Sequence, residues 1–166
     1  MLLNASKRLP FGDCTFDYIF TEHFIEHLKY RAGLQLVQEC YRILKPRGRL
    51  RISTPDLDFL IELHDENKTE VQKRYIKWEV DRYSPDRIYT DTFVINNFVR
   101  GDHKFIYDYK TLKNLLNKCR CVEVKRYEPG ESHDKNLPGI ESHGRIIGDD
   151  FNRLESMVCE ATKPPV

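Results

Sequence analysis

The fold of this chain is constrained most by a strand–helix–strand succession near its start. The short run FDYIF (Phe16–Phe20) is rich in residues that favour strands. Apolar residues then recur at helical spacing over residues 33–45, and the helix ends at the proline and glycine of KPRG. The alternating run GRLRISTP (residues 48–55) predicts a second strand. A helical crossover makes the two strands parallel neighbours, and their carboxyl ends open on the side where α/β sheets bind ligands.

The rest of the chain predicts helices and then a carboxyl-terminal pair of strands. Asp56 is suited to cap a helix that runs to about His64, and a second helical stretch ends at Tyr83. Further predicted elements are a short helix near residues 92–99, a helix over 109–118, a strand over 121–128, a loop over 129–150 and a last strand over 153–163. We therefore predict one α/β domain over residues 1–166, with a mixed sheet of two parallel strands and a C-terminal antiparallel pair.

Composition excludes several classes of protein. A chain of 166 residues is long enough for one domain with a core, and its formal charge of +1 gives no broad attraction to nucleic acid or membranes. No apolar run approaches the roughly 20 residues of a membrane span. The five cysteines are odd in number and scattered, which favours reduced thiols. We expect a cytoplasmic protein with no nucleic-acid or membrane partner.

The segment TEHFIEHL, which follows the first strand, carries two histidines and two acids. His23, Glu26 and His27 match the H-x-x-E-H signature of zinc peptidases. In that interpretation the two histidines share one helix face, and Glu26 is the general base of a zinc-dependent hydrolase. In the other interpretation the segment is a strand end at which another ligand is held, and no metal ligand is assigned.

Several motifs together resemble class I S-adenosylmethionine-dependent methyltransferases. The matching pieces are LPF (residues 9–11), FD (16–17), EHL (26–28), LKPRG (44–48) and LRISTP (50–55). The later segments GDHKFIYDYKTLKNLL, PGESHDKNLPGIESH and SMVCEATKP resemble a small bacterial subgroup of that superfamily, often associated with surface-glycan synthesis. The resemblance implies a partial Rossmann-like methyltransferase fold whose strands correspond to the fourth to seventh of the family.

The resemblance implies methyl transfer from S-adenosylmethionine to a small-molecule or glycan-type acceptor. By the family layout Asn4 and Ala5 contact the adenine, and Thr21, Glu22 and His23 contact the rest of the cofactor. Loops that cover the acceptor side of the family's site carry further histidines. Because the pKa of histidine lies near neutrality, His23, His103 and His143 are the candidate catalytic residues.

The chain also departs from the family pattern. It has neither the Gly-rich loop after the family's first strand nor the acidic residue for the ribose hydroxyls. We therefore expect weak or absent cofactor binding by this chain alone. The strand Phe16–Phe20 should form an exposed edge through which the protein self-associates or binds a partner. Two classes of function stay open: a methyltransferase completed by a missing segment or subunit, and a non-catalytic interaction module.

Overall fold

A computed structural model describes residues 7–165 of the chain. A four-stranded sheet has its helices in the segments that connect successive strands. In chain order the elements are β1 (Phe16–Glu22), a 3-10 turn (Ile25–His27), α1 (Tyr30–Ile43), β2 (Leu44–Pro55), α2 (Leu57–Glu62), α3 (Glu70–Tyr83), α4 (Asp91–Arg100), α5 (Tyr109–Lys118), β3 (Val122–Tyr127), α6 (Gly144–Ile147), α7 (Asp149–Glu155) and β4 (Ser156–Thr162).

The sheet has the order β1-β2-β4-β3. β1 runs parallel to β2, with Ile19 opposite Leu50, whereas β4 is antiparallel to both β2 and β3. The sheet is thus mixed, with the parallel pair and the antiparallel pair that the sequence predicts. The predicted fold class is confirmed.

Two apolar clusters hold the elements together. The larger one joins α1, α5 and one face of the sheet, and it includes Val37, Leu50, Ile52 and Leu115. The second joins α2, α3 and α4, which follow the carboxyl end of β2. These three helices therefore form a layer beside the end of the sheet at which β1 and β2 both terminate.

A buried arginine lies on the opposite face of β2. The Arg51 side chain is fully buried, and its Nε donates to Glu141 Oε1 at 2.6 Å. Its Nη1 pairs with Glu160 of β4 and donates to the backbone oxygen of Glu131 at 2.9 Å. Glu141 in turn accepts a hydrogen bond from the backbone of Gly130 at 3.1 Å. Arg51 thus binds the long segment between β3 and α6 to the middle of the sheet.

The sequence is right about most elements and wrong at the end of the chain. The helix predicted over residues 109–118 is observed with those bounds. Residues 153–155, predicted to begin the last strand, instead form the end of α7, and β4 begins at Ser156. Asn152 and Glu155 are buried there, and acidic residues in the first turn suit the helix dipole. The predicted loop over 129–150 also contains the short helix α6.

Strand β1 forms one edge of the described sheet, as predicted. It pairs only with β2 among the residues described, and none of its seven residues is buried. An apolar groove of about 390 Å³ follows this edge and is lined by side chains that include Phe16, Phe20, Phe24 and Leu36. An edge of this kind offers unpaired backbone groups to another strand.

All five cysteines are free thiols, in agreement with the sequence prediction. Cys14 is exposed, and the other four are buried. Burial raises the pKa of Cys40 and of Cys121 to about 12, so these thiols stay protonated and pack as small apolar groups. Within residues 7–165, no helix combines the length and apolar character that a membrane crossing needs.

Replacing Arg51 with methionine tests the buried network. We expect Arg51→Met to lower the free energy of unfolding by about 3–5 kcal/mol, because Glu141 and Glu160 stay buried without their cation. Urea denaturation measures the change. Arg31→Met, on the exposed surface of α1, is the matched control and should change stability by less than about 0.5 kcal/mol. Adding Glu160→Met to Arg51→Met should recover part of the loss, and a further loss would contradict the assignment.

Candidate active site

A cavity of about 410 Å³ opens at the carboxyl ends of β1 and β2. The helix layer α3–α4 and the segment around α6 form its other walls. Four histidines and three glutamates line it beside several aromatic side chains; they are His23, His27, His103, His143, Glu26, Glu79 and Glu155. This concentration of imidazoles and carboxylates in one concave space makes the cavity the candidate active site.

His23 stands at the point where β1 ends. Its backbone has a φ of 43°, in the left-handed region, and its N–H still donates to Ser53 of β2 at 2.9 Å. The ring Nε2 lies 2.9 Å from Ser156 Oγ, and the ring stacks on His143 with centroids 3.7 Å apart. Burial lowers the pKa of His23 to about 3, and positive charge on the neighbouring histidines acts in the same direction. His23 is therefore a neutral, weakly basic imidazole.

Glu26 lies in the 3-10 turn and is fully buried. Its Oε2 accepts a hydrogen bond from Thr54 Oγ1 at 2.9 Å, whereas its Oε1 has no hydrogen-bond partner among the described residues. The same Oε1 lies 3.6 Å from His23 Nδ1 and 3.8 Å from His27 Nε2. Burial raises the pKa of this carboxyl above its usual range. The backbone oxygen of Glu26 accepts hydrogen bonds from Lys104 and Phe105, which brings the segment that carries His103 to the site.

His27 and His103 are held through one ring nitrogen each. His27 Nδ1 lies 3.3 Å from the backbone oxygen of Asp102, and His103 Nδ1 lies 3.0 Å from that of Phe98. The two rings are tilted, with centroids 5.0 Å apart. Because a carbonyl oxygen only accepts hydrogen bonds, each Nδ1 donates a proton to it, and in the neutral ring Nε2 is the nitrogen that carries the lone pair.

A second hydrogen-bonded group occupies the other side of the cavity. His143 Nε2 lies 2.8 Å from Glu155 Oε1, and Tyr75 donates its hydroxyl proton to Glu155 Oε2. Tyr75 also approaches Glu79, which accepts from Asn97 Nδ2 at 3.2 Å. Burial, with repulsion from Glu155 added, raises the pKa of Glu79 to about 7. Glu79 therefore binds its proton more tightly than an exposed carboxyl does, as groups in functional sites often do.

The residues predicted from the sequence are divided among three places. His23, His103 and His143 all line the cavity. Thr21 instead lines the apolar groove along β1. Asn4 and Ala5 lie outside the described residues.

Glu22 anchors the segment that precedes α6. Its carboxylate accepts hydrogen bonds from the backbone of His143 at 2.9 Å and from Ser142 Oγ at 2.7 Å. Burial alone would raise the pKa of Glu22, but these hydrogen bonds outweigh it and lower the pKa. The Glu22 carboxylate is thus already engaged by the protein, and it holds His143 above His23.

The H-x-x-E-H segment does not form the helix that the zinc-peptidase interpretation requires. Only residues 25–27 are helical, as a single 3-10 turn, and His23 precedes them with a left-handed backbone. His23 and His27 therefore do not share a helix face, and Glu26 lies between them.

Sequence reasoning missed Glu79, Glu155 and Tyr75. The available signal was weak: Glu79 is a charged residue on the apolar face of α3, which also buries Ile76 and Val80. Such a residue is unusual in a core-facing stripe and marks a buried polar group. Glu155 gives no signal, because the sequence predicts a strand over its segment.

Comparisons with known proteins agree with the predicted resemblance. Residues 1–52 match the model of a family described as a methyltransferase domain. A curated relative, malonyl-[acyl-carrier protein] O-methyltransferase 1 of Coxiella burnetii, is 40% identical over 65 residues, which are 39% of this chain and 22% of that protein. The resemblance to class I S-adenosylmethionine-dependent methyltransferases is confirmed. The matched share of this relative is small, so its activity is not transferred to this chain by the match.

Solved structures share the fold over nearly the whole chain. A SAM-dependent methyltransferase from Archaeoglobus fulgidus superposes with a TM-score of 0.57 and 21% identity, covering 98% of this chain and 66% of that one. A SAM-dependent methyltransferase from Methanosarcina mazei gives a TM-score of 0.52 and 17% identity over 99% of this chain and 66% of that one. A chain in the complex between the Haloferax volcanii Trm112 methyltransferase activator and a putative methyltransferase gives a TM-score of 0.55 and 12% identity. The match covers 98% of this chain and 61% of that one. This chain therefore spans about two thirds of these structures or less.

Stability should depend on pH through Glu79. A folded-state pKa of about 7, raised from 4.5, favours the protonated carboxyl, so its contribution to stability is present below about pH 4.5 and is lost as pH rises through 7. We expect the free energy of unfolding of the wild type, relative to Glu79→Gln, to fall by up to about 3 kcal/mol across that window.

Urea denaturation of both proteins at a series of pH values measures this difference. Glu62→Gln, at an exposed position of α2, is the matched control. A wild type whose stability relative to Glu79→Gln stays level or rises with pH would contradict the raised pKa of Glu79.

Proposed function

We propose that this chain supplies the acceptor side of an S-adenosylmethionine-dependent methyltransferase that acts on a small-molecule or glycan-type acceptor. The observation that carries the proposal is the cavity of histidines and glutamates at the carboxyl ends of β1 and β2, in a fold shared with solved methyltransferases. Ligands in open α/β sheets bind at this edge. The cavity volume of about 410 Å³ suits a small acceptor or one sugar unit.

Bound S-adenosylmethionine would supply an electrophilic methyl group on its sulfonium sulfur. The described residues fit it only in part. Thr21 and the apolar groove lie on one side of the end of β1, but Glu22 is occupied by Ser142 and His143, and His23 is bonded to Ser156. Few free polar groups are left to hold the cofactor. This supports the expectation that the chain alone binds it weakly.

His143 is the residue best arranged to take a proton from the acceptor. Glu155 holds its Nε2, and Nδ1 has no hydrogen-bond partner within residues 7–165. An acceptor hydroxyl or amine that attacks the methyl carbon would transfer its proton to this nitrogen. His23 has too low a pKa to be an effective base near neutrality, and its stacked ring orients His143. His103 lines the same cavity, where it would contact the acceptor.

Most of the rate in such a transfer comes from bringing the acceptor atom, the methyl carbon and the leaving sulfur into line. The strands beside the cavity hold its side chains in place, because β2 and β4 are almost wholly buried at the end of the sheet where the cavity opens. A strongly basic residue is then not required for activity.

The exposed edge of β1 supports a second, non-catalytic candidate function. We propose that a further strand pairs with β1. When no other polypeptide supplies that strand, a second copy of this chain supplies it. The groove beside β1 is apolar over most of its lining, and no residue of the strand is buried. A strand added there would bury Phe16 and Phe20 and pair the free backbone groups.

Cofactor binding can be located by nuclear magnetic resonance on the ¹⁵N-labelled chain. We expect titration with S-adenosylmethionine to shift the amide signals of Thr21, Glu22 and His23, with a dissociation constant weaker than about 100 µM. The weakness follows from the loss of several hydrogen bonds at about 1 kcal/mol each. S-adenosylhomocysteine, which lacks the transferred methyl, is titrated in parallel.

Signals from β3, at the other edge of the sheet, are the internal control and should not move. No shift at Thr21–His23 with millimolar cofactor would contradict a cofactor site at the end of β1. A micromolar dissociation constant would contradict the expected weak binding of the cofactor but not the cofactor site at the end of β1.

Self-association through β1 is tested by light scattering over a range of concentrations. We expect the wild type to increase in mass with concentration, and Phe20→Lys to stay monomeric, because a charge on the apolar edge opposes strand pairing. Val122→Lys places the same charge on β3, the other edge strand, and should associate like the wild type. A monomeric wild type at high concentration would contradict pairing between copies of the chain.

A further inference from the structure

We propose that Glu26, His27 and His103 bind a divalent transition-metal ion inside the cavity. Each of the three offers one ligand atom, and these atoms all lie within 4.8 Å of one another. The three side chains come from the turn after β1 and from the segment after α4, and the backbone bonds from Lys104 and Phe105 to Glu26 hold the two segments together. Two imidazole nitrogens and one carboxylate oxygen form a donor set that first-row transition metals favour.

The unpartnered oxygen of Glu26 is the observation that points to a cation. Glu26 is fully buried, and its Oε2 is satisfied by Thr54. Its Oε1 lies beside His27 Nε2 at 3.8 Å without a hydrogen bond to any described residue. A buried carboxylate oxygen with no partner is costly unless it coordinates a metal or carries a proton. The cavity leaves room beside it for an ion.

The two histidines are already held as metal ligands are. The backbone oxygens of Asp102 and Phe98 fix the proton of each ring on Nδ1. Each Nε2 is thereby left as a lone pair, and the carbonyls orient the rings in the way that outer-shell partners orient histidine ligands.

The distances fit a common ion. Two ligand atoms bound at about 2.1 Å to one metal are separated by at most about 4.2 Å. The 3.8 Å between Glu26 Oε1 and His27 Nε2 lies within that span. Atoms that are now up to 4.8 Å apart reach it with shifts below about 1 Å.

A second set of candidate ligands, His23, His143 and Glu155, faces the same cavity but carries a weaker case. Both oxygens of Glu155 have partners, from His143 and from Tyr75. His23 Nε2 is engaged by Ser156. This set is satisfied by its own hydrogen bonds, whereas the Glu26 set contains an oxygen that is not.

An ion at this place would bind an oxygen of the acceptor. Three protein ligands leave coordination positions open towards the cavity, and a hydroxyl or carboxylate oxygen of a glycan-type acceptor fits such a position. This part rests on the proposed methyl transfer, whereas the binding of the metal does not. His103 then holds the ion and does not act as a base.

Cobalt(II) is the probe for the site, because its visible d–d bands report the coordinating atoms. The full chain is treated with a chelator, dialysed and titrated with Co²⁺ and, separately, with Zn²⁺ by calorimetry. We expect one equivalent of either ion per chain, with d–d bands and no thiolate charge-transfer band. Glu26→Gln and His103→Asn should each weaken binding at least about 100-fold, since losing even an outer-shell partner costs 10–100-fold.

His133→Asn is the matched control. This exposed histidine lies in the segment after β3 against Tyr127 and lines another pocket, so its loss should not change binding. Circular dichroism verifies that each variant is folded, and either of the two ligand variants suffices if the other does not fold. No binding by the folded wild type, unchanged binding in a folded ligand variant, or a thiolate charge-transfer band would each overturn the site.

The open coordination positions are tested with acetohydroxamate, a chelator that binds through two oxygens. Added to the Co²⁺-loaded chain, it should shift the d–d bands. An unchanged spectrum would overturn the role in acceptor binding while the metal site stands. Neither result depends on whether S-adenosylmethionine binds, so failure of the metal site and failure of the proposed methyl transfer are distinguished.

Discussion

The buried guanidinium of Arg51 is the interaction on which the ligand-binding end of the sheet depends. It pairs with Glu160 across the sheet and with Glu141 in the segment between β3 and α6. Removing three charged groups from water is costly, and the pairing of the guanidinium with two carboxylates offsets part of that cost. The segment that Arg51 holds continues directly to Ser142 and His143. Glu22 completes the attachment at the end of β1, and His143 is thereby fixed above His23.

The chemistry of the cavity follows from burial more than from any single motif. His23 is kept neutral because it is buried among other histidines, whereas burial raises the pKa of Glu26 and Glu79. Near neutrality His23 is therefore an uncharged imidazole, and Glu26 and Glu79 hold a proton more readily than exposed carboxyls do. Such separated proton affinities are common where a site must exchange protons or bind a metal.

Sequence reasoning predicted the scaffold well because its signals are local. The helical spacing of α5 and the proline and glycine after α1 depend on residues close together in the chain, and the parallel pairing of β1 with β2 follows from the crossover between them. The end of α7 resembles strand in the sequence because α7 passes without a break into SMVCEAT, which has high strand propensity. Two arrangements depend on contacts between distant residues and left no local signal: the Arg51 network, and the pairing of His143 with Glu155. The family resemblance names His23, His103 and His143 as candidates, and all three line one cavity.

The position of β4 in the sheet has a consequence for how the protein folds during synthesis. β4 follows β3 in the chain, yet it lies between β2 and β3 and is the only strand in the described sheet with which β3 pairs. The bond between His23 and Ser156 spans 133 residues, and those from Glu22 to Ser142 span 120. Contacts of such separation form late, because the chain entropy they cost is recovered only when the strands join. While the chain is still growing, β2 exposes an open edge, and that edge is closed in the single step that inserts β4.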